Sequence, residues 1–156
     1  MTVIYMMNDK RIFVDTGAYL ARFHTADQRY QQACQAWEQI QNQKRVLVTS
    51  HHVIDELATL LARRTDYVFS VRKIGQIYGS QLVLIERSSE ADEQTALAFF
   101  QKYADQKVSF TDCISFAMMM RLQIRQVFTF DYHFALAGFE VFPSPYELKL
   151  EEETRW

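Results

Sequence analysis

The sequence predicts an α/β protein, a three-layer α/β/α sandwich with a parallel sheet of about five strands. Short hydrophobic runs alternate with longer helical segments, as in parallel strands that are joined by helical crossovers. Glycine and proline number only four and two, which favours long regular elements over a turn-rich β-sandwich. The length of 156 residues suits one domain. We place this domain at residues 1–145 and a C-terminal tail at residues 146–156.

Five short runs rich in aliphatic and aromatic residues are the predicted strands. Such runs are typical of strands that are buried on both faces. A leader of residues 1–10 precedes the first of them. The predicted strands are Arg11–Asp15, Arg45–Thr49, Gln81–Glu86, Gln126–Phe130 and Glu140–Phe142.

The segments between these runs have the length and periodicity of helices. Ser50 has the position and the residue type of an N-cap. The two helices that follow Ser50 are expected to pair as a hairpin. The predicted helices are a stretch that begins at Thr16, then Asp27–Gln43, Ser50–Arg63, Asp66–Gly79, Ser89–Ala104 and Thr111–Ile124.

Composition limits the classes of function. The formal net charge of −2 gives no general attraction to polyanions, so nucleic-acid binding would require a local basic patch. Cys34 and Cys113 lack metal-ligand spacing, which indicates a reducing cytoplasm. The sequence shows neither a signal peptide nor an apolar stretch of membrane-spanning length, so we expect no membrane association. A glycine-rich phosphate loop is also missing.

Two aspartates follow predicted strands directly. Asp15 ends the first strand and Asp131 follows the fourth. In open α/β sheets, ligands bind beyond the carboxyl ends of the strands, so both side chains are expected at the functional edge of the sheet. Taken singly, each has a structural explanation: Asp15 as a helix N-cap and Asp131 in an Asx-turn.

Asp112 begins a helix that is apolar on nearly every face, including three consecutive methionines. Ser109 lies three residues earlier, so a capping arrangement is one explanation of this acid. A helix so apolar is packed on several sides, which would place Asp112 in a partly desolvated position near the rim of the sheet. The methionines themselves are interpreted as core.

The helix that follows Ser50 contains two adjacent acids, Asp55 and Glu56. At about 100° per residue, Asp55 falls opposite the apolar stripe of this helix, in solvent. Glu56 falls on the flank of the stripe, where its side chain can reach over the sheet edge. A solvated pair with His52 is the structural alternative. Of the two acids, we therefore expect Glu56 to be functional.

The four acids together predict a metal site. Two carboxylates ~4 Å apart repel by roughly 4 kcal/mol at an effective dielectric constant of ~20, so a cluster of four needs a counter-charge. Carboxylate oxygens suit Mg²⁺ or Mn²⁺. One or two such ions can activate a water and stabilise the leaving oxygen of a phosphodiester.

The acids lie in strings that resemble a known family. The sequence is similar to PIN-domain proteins, especially to the VapC-type toxin ribonucleases of toxin–antitoxin systems, over Arg11 to about Phe142. The similarity is carried by IFVDTGAYLARF with Asp15, TSHHVIDELATLL with Glu56, SFTDCISFAMM with Asp112 and VFTFDYHFALAGF with Asp131.

The resemblance implies a metal-dependent endoribonuclease that is the toxin of a toxin–antitoxin pair. It implies that Asp15, Glu56 and Asp112 ligate Mg²⁺ or Mn²⁺ and that Asp131 completes the site. Thr16 and Thr111 stand where the family often has a hydroxyl that orients the site. The resemblance also implies that the hairpin of residues 50–79 serves for homodimerisation and for contact with an antitoxin.

RNA contact would have to come from local basic residues. Arg63, in the cluster along the predicted hairpin, and Arg22, after the first motif, are the candidates for phosphate contact. His133 is expected to be structural, and no histidine is assigned a catalytic role. The alternative function is a non-catalytic module that binds RNA or a protein on the same fold. Such a module would bind without dependence on metal.

Overall fold

A five-stranded parallel sheet forms the centre of the structure, a computed structural model that describes residues 10–143. The order of the strands is β3-β2-β1-β4-β5, and every neighbouring pair is parallel. The predicted fold class is confirmed. The predicted domain boundary and tail, and residues 1–9 of the leader, lie outside the described residues. The strands are β1 (Arg11–Val14), β2 (Val46–Ser50), β3 (Val83–Glu86), β4 (Gln126–Phe128) and β5 (Glu140–Phe142).

Helices connect the strands and flank the sheet. The chain moves from β1 outwards to β3 and then crosses back to β4 and β5. Because such crossovers are right-handed, the helices before and after β3 cover opposite faces. Within residues 10–143 the α-helices are α1 (Thr16–Phe23), α2 (Tyr30–Asn42), α3 (His51–Arg64), α4 (Tyr67–Gly79), α5 (Glu90–Lys102), α6 (Phe110–Leu122) and α7 (His133–Leu136).

Side-chain caps fix where several helices begin. The hydroxyl of Ser50 accepts the backbone N–H of Val53 at 3.1 Å, as its predicted N-cap role requires. Ser109 in the same way accepts the backbone N–H of Asp112 at 3.1 Å. The capping interpretation of Ser109 is therefore correct. It fixes the first turn of α6 and with it the position of Asp112.

Several elements differ from the prediction: β3 begins at Val83 instead of Gln81, β4 ends at Phe128 instead of Phe130, and two helices differ more. Helix α2 begins at Tyr30 instead of Asp27, because the Asp27 carboxylate accepts the backbone N–H of Arg29 at 2.8 Å and closes a turn there. The short helix His133–Leu136 was not predicted. Its four residues are too few for a periodic pattern to reveal it.

The core lies between the sheet and its flanking helices. In β1, the side chains of Ile12, Phe13 and Val14 are fully buried. The interpretation of the methionines as core holds for Met118 and Met119, whereas Met120 is 56% exposed. Among the helices of residues 10–143, none combines the length and hydrophobicity that a membrane crossing requires.

An ion pair joins the first turn of α5 to the last turn of α6. The carboxylate of Asp92 is buried and accepts Nε of Arg121 at 2.9 Å on each of its oxygens. The same carboxylate accepts the backbone N–H of Ser89 at 2.8 Å, which completes a capping box. Asp92 therefore stabilises the pair of helices α5 and α6, and α6 contains Asp112.

Replacement of Asp92 is expected to destabilise the protein. Asp92→Asn removes a charge-assisted pair and should lower the free energy of unfolding by about 1–3 kcal/mol in urea titrations. Glu90→Gln is the matched control, because Glu90 is an exposed acid in the same turn. An equal loss in both variants would contradict a specific role of the Asp92–Arg121 pair.

Candidate active site

Asp15 lies directly after β1, and its carboxylate is almost completely buried. One oxygen, Oδ2, accepts the hydroxyl of Thr129 at 2.9 Å. The other oxygen, Oδ1, is buried without a hydrogen-bond partner among the described residues. An unpaired buried carboxylate oxygen raises the energy of the fold unless a cation or a proton compensates it. Asp15 therefore has the environment of a ligand; it stands at the N-cap position of α1, but its side chain accepts no capping hydrogen bond there.

Asp131 lies in the loop after β4 and is held on two sides. Its backbone N–H donates to Oγ1 of Thr129 at 3.0 Å. Its Oδ1 accepts the backbone N–H of His133 at 2.9 Å, which is the Asx-turn considered above. These two hydrogen bonds hold the loop and orient the carboxylate of Asp131.

Asp112 approaches Asp131 from the first turn of α6. Asp112, Asp131 and His133 each have one potential metal-ligand atom that lies within 4.8 Å of the other two. The imidazole Nδ1 of His133 is 2.8 Å from Oδ1 of Asp131, but this close contact lacks the alignment of a hydrogen bond. The structure thus brings carboxylates from β1, the β4–α7 loop and α6 to one edge of the sheet.

Glu56 approaches Asp15 from α3, as its charge on that carboxyl shows. It is half-buried, whereas Asp55 is exposed, as the periodicity of the helix predicts. The charge of Glu56 is one of the causes that raise the pKa of Asp15, although it acts less strongly than burial or Asp131. His52 does not pair with Glu56 in the structure. Its Nε2 lies 2.9 Å from the hydroxyl of Ser88.

Burial and mutual repulsion raise two of the carboxyl pKa values. Burial, followed by the charge of Asp131, raises the pKa of Asp15 to about 7. Burial, followed by the charges of Asp15 and Asp131, raises the pKa of Asp112 to about 9. At neutral pH the cluster therefore tends to retain protons. A divalent cation can replace those protons, since it compensates the same charge.

The other four predicted site residues differ in their burial and contacts. Thr16 is buried beside Asp15, and its hydroxyl has no hydrogen-bond partner within the described chain. Thr111 is half-buried, and its carbonyl accepts the hydroxyl of Ser115 at 3.1 Å. Arg63 is exposed in the last turn of α3. Arg22 lies with its guanidinium carbon 5.9 Å from the ring centre of Trp37.

One residue at the site was missed in the sequence, and a second, His133, was considered only as structural. Thr129 donates to Asp15 and accepts from Asp131, so a single hydroxyl connects two of the acids. A buried threonine two residues before Asp131 was the available signal, but it was interpreted as part of the fourth strand. His133 was treated as structural, yet its ring lies among the acids.

The sequence of the chain is also similar to that of known proteins. The model of the PIN domain matches residues 12–140, most of the chain. The chain belongs to the PIN-domain family.

Individual PIN-domain relatives are similar over nearly their whole length. The chain is 34% identical over 128 residues to the 23S rRNA-specific endonuclease VapC20 in two strains of Mycobacterium tuberculosis, which covers 82% of this chain and 95% of the relative. The crystal structure of Mycobacterium tuberculosis VapC20, described as a Sarcin–Ricin loop cleaving toxin, matches with a TM-score of 0.75 and 31% identity. That match covers 83% of this chain and 96% of the other. These findings confirm the predicted resemblance and, at the level of the family, a ribonuclease function.

The raised pKa values predict how the stability of this PIN domain depends on pH without metal. Asp15 and Asp112 ionise near pH 3.8 in the unfolded chain but near 7 and 9 in the folded protein. Between these limits the folded state holds protons that the unfolded state lacks, so stability falls as the pH rises. The maximal slope is about 1.4 kcal/mol per pH unit for each group.

Urea titrations in EDTA between pH 5 and pH 9 would test this dependence. Asp112→Asn should flatten the profile and raise stability at pH 8. Asp55→Asn, which removes an exposed acid from the same helix as Glu56, should leave the slope unchanged. A wild-type profile that rises with pH would contradict the raised pKa values.

The connecting hydroxyl of Thr129 provides a second prediction. Thr129→Val removes a donor to Asp15 and an acceptor for the Asp131 N–H, and should cost about 1–3 kcal/mol of unfolding free energy. It should also weaken Mn²⁺ binding, because Asp15 and Asp131, two of the predicted ligands, lose their alignment. Thr129→Ser should restore most of both properties. Thr59→Val, at an exposed helix position, is the control. Equal Mn²⁺ affinity in Thr129→Val and wild type would contradict this role.

Proposed function

We propose that the protein is a metal-dependent endoribonuclease that hydrolyses RNA phosphodiester bonds as the toxin of a toxin–antitoxin pair. The observation that supports this most directly is the convergence of buried carboxylates whose charge no described hydrogen bond fully compensates. The similarity to VapC20 supports the same reaction class.

The donor set fits Mg²⁺ or Mn²⁺. Carboxylate oxygens are the ligands that these hard cations prefer, and the unpaired Oδ1 of Asp15 is a direct place for one. Asp15, Asp112, Asp131 and Glu56 would hold the ion. When bound, the ion would lower the pKa of a water and stabilise the leaving oxygen.

The residues of the chain would orient the reaction around that ion. The backbone N–H of His133 and the hydroxyl of Thr129 fix Asp131, so that its second oxygen would either bind the ion or orient the water bound to it. Attack forms one bond between the water oxygen and phosphorus and breaks the bond to the leaving oxygen. The products are one phosphomonoester end and one hydroxyl end.

The substrate class proposed is ribosomal RNA. The support is the description of the relatives: VapC20 is named a 23S rRNA-specific endonuclease, and its crystal structure a Sarcin–Ricin loop cleaving toxin. The identity of 34% extends over 95% of that relative. Ribosomal RNA as the substrate agrees with the cytoplasmic location expected from the sequence.

The hairpin of α3 and α4 is the proposed surface for protein partners. On α4, the side chains of Tyr67, Val68 and Val71 are 77%, 79% and 71% exposed. Exposed apolar residues on one helix are typical of a surface that a partner covers. The proposed partners are a cognate antitoxin and a second copy of the chain, as the family resemblance implies for this hairpin.

Metal binding and cleavage are expected to depend on the same acids. Mn²⁺ at a hundredfold excess over its dissociation constant should stabilise the wild type by ~2.7 kcal/mol, measured by thermal unfolding. Asp15→Asn and Asp112→Asn should lose this response and the cleavage of a labelled RNA stem–loop with the sarcin–ricin sequence. Asp55→Asn is the matched control and should retain both.

Two outcomes would contradict the proposal. Full cleavage by Asp112→Asn would remove that residue from the reaction. RNA binding without cleavage, with no response of the wild type to Mn²⁺ or Mg²⁺, would favour the non-catalytic module.

A further inference from the structure

One imidazole ring lies among the acids of the candidate active site. Of the histidine, cysteine and acidic side chains in residues 10–143, only Asp112, Asp131 and His133 place three potential metal-ligand atoms within 4.8 Å of one another. Neither Asp15 nor Glu56 belongs to a set that meets this limit. The most compact set of potential ligands therefore contains a nitrogen atom, whereas the sequence predicted carboxylate oxygens alone.

The ring nitrogens of His133 are buried but have no hydrogen-bond partner. Nδ1 and Nε2 both lack one within residues 10–143, and Nδ1 lies 2.8 Å from Oδ1 of Asp131 without the alignment of a hydrogen bond. A buried polar atom without a partner raises the energy of the fold. The buried Oδ1 of Asp15 is in the same condition. A cation bound at this edge of the sheet would provide a partner for atoms of both kinds.

The distances around His133 fit ligands of one ion. Around an octahedral ion with bonds of ~2.1 Å, neighbouring ligand atoms are about 3 Å apart and opposite ones about 4 Å. The 2.8 Å between Nδ1 of His133 and Oδ1 of Asp131 is close to the shorter of these spacings. The limit of 4.8 Å for the whole set only slightly exceeds the longer one. Small movements of the side chains would therefore allow all three residues to bind the same ion.

We propose that His133 is a ligand of the metal ion, together with Asp112 and Asp131. This inference rests on the proposed function and deepens it, because a nitrogen ligand changes which cation the site selects. Mg²⁺ prefers oxygen ligands and keeps several of its waters. Imidazole nitrogen favours transition-metal ions, and the affinity of such sites rises from Mn²⁺ to Co²⁺. The protein should therefore bind Co²⁺ and Mn²⁺ more tightly than Mg²⁺.

Packing and a backbone hydrogen bond hold the imidazole in this position. The centre of its ring lies 4.5 Å from that of Tyr132, and the neighbouring Phe134 is fully buried. The backbone N–H of His133 donates to Oδ1 of Asp131 at 2.9 Å, so one turn of the chain orients both side chains. Ligands that are already oriented lose less entropy when they bind.

Spectroscopy of bound Mn²⁺ tests this inference without RNA. Electron spin-echo measurements on the wild type loaded with Mn²⁺ should show the hyperfine coupling of a directly bound nitrogen nucleus, and isotope-labelled histidine should change that signal. His133→Phe keeps a ring but has no ligand atom, and should lose the coupling. His133→Asn is a second variant, so that the test does not depend on how phenylalanine packs. His52→Asn is the matched control, because the half-buried His52 contacts Ser88 instead of the acids.

Calorimetric titrations provide a second readout. Removal of the imidazole of His133 should weaken the binding of Mn²⁺ and Co²⁺ at least about tenfold, the lower end of what residues behind metal ligands contribute. Mg²⁺ binding should change less, because a water can take the place of the imidazole. The preference for Mn²⁺ over Mg²⁺ should therefore decrease in both His133 variants and remain in His52→Asn.

The outcomes separate this inference from the nuclease proposal. If Mn²⁺ binds without nitrogen coupling and His133→Phe keeps the preference for Mn²⁺, His133 only positions Asp131 and the inference is wrong, whereas a nuclease that uses carboxylate ligands remains supported by RNA cleavage. If nitrogen coupling is present although the wild type never cleaves RNA, His133 is a ligand and the nuclease proposal fails. If no divalent cation binds, both the inference and the metal dependence are wrong.

Discussion

Repulsion among buried carboxylates is the constraint on which the arrangement of this protein depends. Asp15 and Asp112 are largely shielded from water, and Asp131 stands beside both. Two such charges ~4 Å apart repel by roughly 4 kcal/mol at an effective dielectric constant of ~20. The cluster therefore opposes folding, and the stability must come from elsewhere. It comes from the elements that carry the acids, because residues 12–14 of β1 and residues 113–119 of α6 are buried.

The same constraint explains how the polar groups around the acids are used. Thr129, the cap Ser109 and the backbone N–H of His133 each bind a group of the acidic residues, yet together they leave Oδ1 of Asp15 unpaired within residues 10–143. If protein donors were hydrogen-bonded to every carboxylate oxygen, they would favour the ionised form of the acids but would leave no position for a cation. The incomplete hydrogen bonding that is observed orients the carboxylates and leaves room for a cation to bind them. Preorganisation of this kind is expected of a metal-dependent hydrolase.

The negative charge of the acids also means that the surrounding surface has to provide positive charge for an RNA substrate. An RNA substrate adds phosphates to an edge that already contains four acids, and the chain as a whole has a net charge of −2. Attraction must therefore be local, from the bound ion and from guanidinium groups close to it.

The sequence alone determined the strands, most of the helices and the four acids. Those features follow from local patterns: hydrophobic runs, helical periodicity that separates Glu56 from Asp55, and acids placed at strand ends. Only the tertiary structure decided which groups lie beside the acids. Thr129 was hidden at the end of a hydrophobic run, and it is 114 residues from Asp15 in the chain. A local pattern carries no information about such contacts, because they form only when β4 is inserted beside β1.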